Sequence, residues 1–61
     1  MSQVNQVELQ ALRHLIGSHE TAYLKLQTYS TQATDPQVKA FFQKCAQDAQ
    51  NTKQQLLSFL S

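Results

Sequence analysis

The 61-residue chain has no tryptophan and a single cysteine, proline, glycine and methionine. One cysteine cannot close an internal disulfide, and neither a CxxC nor an HxxxH zinc spacing exists. Pro and Gly punctuate chains, and with one of each there is little to break a helical pattern. Charge is sparse and balanced: five basic and four acidic residues, net +1, spread singly. No basic stripe can follow a phosphate backbone, which argues against nucleic acid as a partner. No apolar run approaches the roughly 20 residues of a membrane span. The opening MSQVNQVELQ is polar and lacks the apolar centre of a secretory signal. These features lead to the expectation of an intracellular protein with no membrane partner, and the lone thiol is compatible with a reducing interior.

Glutamine is what the chain has in excess, at eleven of its 61 residues. Gln favours helix and carries no charge, so these residues are expected to coat the outer faces of helices. No three occur together, which argues against an aggregating tract. The segment ATDPQ, residues 33–37, supplies the stop and start signals. Asp35 or Thr34 can cap a new helix whose first position is Pro36, and the residue before proline is driven out of the helical region. The expected organisation is one domain over 1–61, with helix 1 over about 3–33, a turn at 34–35 and helix 2 over about 36–60. Gly17 falls on the back of the first helix.

Steps of 100° place Leu12, Leu15, Ile16 and His19 on one broad face with Ala22, Tyr23, Leu26 and Tyr29. In the second helix Val38, Phe42, Cys45, Ala49, Thr52, Leu56 and Phe59 recur at alternating steps of four and three. Phe41, Ala46 and Leu60 widen that seam. A two- or three-residue turn makes the helices antiparallel. Counting from the turn pairs Leu26 with Phe42, Tyr23 with Cys45, His19 with Ala49 and Leu12 with Leu56. Each stripe is wider than one partner helix covers, and a chain this short rarely buries enough surface alone. Two copies face to face would make a four-helix bundle. The fold class is thus all-α, an antiparallel two-helix hairpin that dimerises. Its expected dimer core comprises Leu12, Leu15, Ile16, His19, Ala22 and Tyr23, followed by Leu26, Phe42, Cys45, Ala49, Thr52 and Leu56.

The stretch HLIGSHETAYLKL puts His19 and Glu20 in an apolar helical context and raises the question of a metal. Di-metal carboxylate bundles need Glu and Glu-x-x-His ligands on several facing helices at one depth. Helix 2 has neither Glu nor His, and its one acid, Asp48, lies beside the apolar centre. The expectation is a core histidine hydrogen-bonded to Asp48, Thr52 or Tyr23, since buried polar groups must be paired. Cys45 reads as a small buried apolar residue, and Glu8 lies near the open end within reach of solvent. No catalytic, cofactor-binding or metal-ligating residue is assigned, and no enzyme activity is expected.

Residues 9–60 resemble the spore coat protein F family. The likeness rests on Asp35-Pro36 at the turn, Phe41-Phe42 opening the second helix, Gln50-Asn51-Thr52 in its middle and Leu56-Leu57-Ser58-Phe59 at its end. That family is similar to the ferritin-like superfamily, whose unit is a four-helix bundle. The resemblance implies a ferritin-like bundle completed by a second copy, a structural role in sporulation, deposition in the spore coat and other coat proteins as partners. It carries over no metal ligands. Two further readings stand beside the non-enzymatic homodimer: a metal-binding bundle with an atypical site at His19, and a helical adaptor that pairs with another protein.

Overall fold

The structure, a computed structural model, describes residues 4–60. Two helices, α1 (Gln6–Gln32) and α2 (Pro36–Ser58), make up the described chain, which contains no strand. The start expected near Gln3 lies outside the described residues; the helix itself begins at Gln6 because Asn5 caps it. The Asn5 side chain accepts from the Glu8 amide at 2.8 Å, and the Glu8 carboxylate accepts from the Asn5 amide at 3.0 Å. This reciprocal pair satisfies two backbone donors that no helical carbonyl can reach. Glu8 therefore terminates a helix instead of standing loose at the open end. At the turn, Asp35 accepts from the amides of Gln37 and Val38 at 2.8 and 3.1 Å, with Pro36 following it. Thr34 is not the cap. Helix α2 ends at Ser58, two residues short of expectation, and Phe59 and Leu60 continue as a turn.

The helices pack antiparallel into a rod of 45 × 16 × 12 Å. Two contacts fix the pairing. The rings of Tyr29 and Phe42 are 5.9 Å apart and tilted at 53°, and the Lys53 ammonium donates to the Glu20 carboxylate across the helix pair. Counting from the turn had put Leu26 opposite Phe42 and Asp48 level with Glu20. The correction follows from side-chain direction, because Cα–Cβ bonds tilt toward the N-terminus of their own helix. Side chains of α1 lean to the open end and those of α2 lean to the turn. Residues joined by long side chains are therefore offset from those at equal depth.

The seam between the helices is lined by Leu9, Leu12, Ile16 and Tyr23 of α1, all half-buried, with Ser30 buried. From α2 come Ala46, 5% exposed, and Ala49, with half-buried Phe42, Lys53 and Leu56 beside them. Among the described residues only Ser30, Ala46 and Ala49 are buried, and no large side chain is fully enclosed. Small residues let the helices approach closely, but they contribute little burial. Ala46, expected at the margin of the stripe, is its centre.

Candidate functional site: the uncovered apolar face

The seam directions divide each helix into two flanks. In α1, Leu15, Ala22, Leu26 and Tyr29 lie about 100° to one side of the line through Ile16 and Tyr23. Arg13, Glu20 and Leu24 lie to the other. In α2, Phe41, Cys45, Thr52 and Phe59 lie on one side of the seam, and Lys39, Gln50 and Leu57 on the other. Both helices are right-handed and run in opposite directions, so flanks of the same rotational sense fall on the same face of the rod. One face thus gathers Leu15, Leu26 and Tyr29 with Phe41, Cys45 and Phe59. The opposite face holds the Glu20–Lys53 ion pair, with side chains 44% and 20% exposed. It also holds a hollow of mixed character bordered by Tyr23, Gln27, Ser30, Gln43, Ala46 and Gln47.

The first face is exposed in the single chain. Leu15 is 42% exposed, Phe41 61% and Phe59 46%. At the turn it continues into a wide-open, largely apolar hollow bordered by Tyr29, Ala33, Val38 and Phe42, with Gln32, Thr34 and Asp35 at its rim. Leu24, Leu57 and Val7 are isolated exposed apolar residues elsewhere, which is ordinary for a protein surface. Asp48 stands at the margin of the apolar face and is tied to Lys44 one turn away at 3.3 Å.

The twelve residues expected in a dimer core separate into two groups. Leu12, Ile16, Tyr23, Phe42, Ala49 and Leu56 sit in the seam inside one hairpin. Leu15, His19, Ala22, Leu26, Cys45 and Thr52 lie on its apolar flank, with Leu15 exposed and the others half-buried. Ser30 is a seam residue that sequence reasoning missed. Its position was legible, since Leu9, Ile16, Tyr23 and Ser30 recur every seven residues, but its hydroxyl disguised it. That hydroxyl donates to the Gln27 carbonyl at 2.8 Å, so it enters the seam with its polar atom satisfied.

His19 does not bond to Asp48, Thr52 or Tyr23. Its Nδ1 lies 2.8 Å from the Leu15 carbonyl one turn earlier. A carbonyl only accepts, so Nδ1 is the donor in this bond. The Tyr23 hydroxyl accepts from Gln27 Nε2 at 2.8 Å. Among the described residues no three His, Cys, Asp or Glu side chains come together as a metal would need. All four acids have structural engagements: Glu8 and Asp35 in caps, Glu20 with Lys53, and Asp48 with Lys44. No described helix is long and apolar enough to cross a membrane. No protein-family model, curated protein or solved structure matches the chain.

Proposed function

We propose that the chain is a non-enzymatic structural module that works as a homodimer, two hairpins closing their apolar faces into a four-helix bundle. The supporting observation is the surface that one hairpin leaves exposed. A compact protein of 6.9 kDa exposes about 4,000 Å², whereas this one exposes 4706 Å². The excess, roughly 700 Å², is close to the 800 Å² or so that each partner buries in a standard interface. The Cα radius of gyration agrees: 14.1 Å against about 10–11 Å for a compact domain of this length. A partner stacked on the 12 Å dimension of the rod would bring the radius of gyration nearer the roughly 14 Å of a compact domain of twice the length. A second copy is always present at the concentration of the first, and isologous pairing closes after two.

The non-enzymatic part of the reading is supported by the acids, whose carboxylates are spent on caps and ion pairs. The outline shared with the coat F family adds a setting, assembly within the spore coat beside other coat proteins; that part rests on the resemblance alone. Sedimentation equilibrium of the purified chain is the test. A mass of twice 6.9 kDa at micromolar concentration is expected. A cooperatively melting monomer overturns the homodimer, and a chain that folds only with a foreign helix added identifies an adaptor instead.

A further inference from the structure

Two hairpins can stack their apolar faces about a two-fold axis in two ways. With the turns at the same end, α1 covers α2 of the partner copy. With the turns at opposite ends, α1 covers α1 and α2 covers α2. On the reading that the chain dimerises, we infer that the turns lie at opposite ends, and that Phe59 and Leu60 of one copy fill the hollow at the turn of the other.

The first observation is the internal symmetry of the two apolar patterns. Along α1, Leu12, Leu15, His19, Ala22, Leu26 and Tyr29 recur at steps of three, four, three, four and three, which reads the same in both directions. Its midpoint lies between His19 and Ala22. Along α2 the residues on or beside the apolar face, Val38, Cys45, Thr52 and Phe59, recur every seven residues and are centred between positions 48 and 49. A helix paired antiparallel with its own copy matches each residue to its mirror position. Leu15 then meets the partner copy's position 26, Val38 meets its position 59 and Cys45 meets its position 52, so bulky residues face bulky ones and small residues face small.

The second observation is that the two midpoints are at the same height. Each lies roughly twelve residues from the helix end at the turn. One two-fold axis perpendicular to the rod can bisect both patterns only if that holds. The sequence of either helix alone does not require it.

The third observation is the shape of the two ends. The turn end is hollow, walled by Tyr29, Ala33, Val38 and Phe42. The open end projects Phe59 and Leu60 beyond the last helical turn, 46% and 41% exposed. Opposed turns put the projection into the hollow. Turns at one end would set hollow against hollow.

Pulsed electron–electron dipolar spectroscopy tests this on the full chain, with a nitroxide attached through Thr34→Cys in a Cys45→Ala background. Thr34 is exposed but borders the hollow, so Gln37→Cys, an exposed site that does not border it, is labelled in parallel and must give the same answer. Opposed turns put the two labels about 40 Å apart at 1.5 Å per residue. A distance under about 20 Å, together with a dimeric mass, overturns the opposed arrangement and leaves the homodimer standing. A monomeric mass for both labelled and unlabelled protein overturns both.

Discussion

The Lys53 ammonium of α2 and the Glu20 carboxylate of α1 are hydrogen-bonded across the hairpin, 33 positions apart in sequence, on the face turned away from Leu15, Leu26 and Phe41. This pair marks the polar side of the rod. Glu20 is nearly half exposed, so solvent and counterions weaken the attraction. A double-mutant cycle with Glu20→Gln and Lys53→Met should give a coupling of about 1 kcal/mol or less. It should shrink further in 1 M salt, where the screening length falls to about 3 Å. Neither variant should change the mass in solution. A salt-insensitive coupling of several kcal/mol would mean that this face, too, is covered.

Leu15 and Leu24 offer a matched comparison. Both are leucines of α1, 42% and 53% exposed, but only Leu15 lies on the apolar face. Leu15→Glu should weaken dimerisation about a hundredfold or more, because enclosing an unpaired charge costs on the order of 3 kcal/mol. Leu24→Glu should leave the dimer intact and shift stability by about 0.5 kcal/mol at most. Sedimentation velocity across a dilution series separates them; equal behaviour of the two variants would refute the assignment of faces.

Gly17 is exposed inside α1, and a Cβ added there meets nothing within 4 Å. Glycine costs a helix interior about 1 kcal/mol relative to alanine through the freedom it has in the unfolded chain. Gly17→Ala should therefore raise the melting temperature by roughly 4–8 °C without altering oligomeric mass. An unchanged or lowered melting temperature would show that something approaches the back of α1 in the assembled protein.

The two caps should differ in weight. Asp35 accepts from two amides and also sets the geometry of the turn, so Asp35→Ala should cost about 1–2 kcal/mol. Asn5 caps the open end, where fraying is tolerated, and Asn5→Ala should cost about 1 kcal/mol or less. Urea midpoints at unchanged slope measure both. The reverse order would indicate that the open end is held more firmly than the turn.

Much of this was legible in the residues. Asp35-Pro36 announced the turn, and the mixed spacing of threes and fours announced two helices with stripes too wide for one partner. The Asn5-x-x-Glu8 cap was also present in the sequence, yet the start of the helix was placed earlier because nothing helix-breaking precedes it. The partner of His19 was not legible. Competition between a side chain across the seam and a carbonyl one turn back depends on distances that periodicity does not contain. The Glu20–Lys53 contact was missed for a related reason: counting depth along the axis ignores the opposite lean of side chains on antiparallel helices.

By itself the sequence determined that there are two helices, where they turn, and how broad an apolar arc each carries, because these follow from local hydrogen bonding and from 3.6 residues per turn. Tertiary structure decided how each helix is rolled about its own axis. Periodicity fixes angles only relative to that axis, whereas the roll is set by where two backbones can come nearest. Here the buried residues along that line are Ser30 in α1 and Ala46 and Ala49 in α2. Turning those small residues inward left Leu15, Phe41 and Phe59 facing out on one side, and put the Glu20–Lys53 pair on the other.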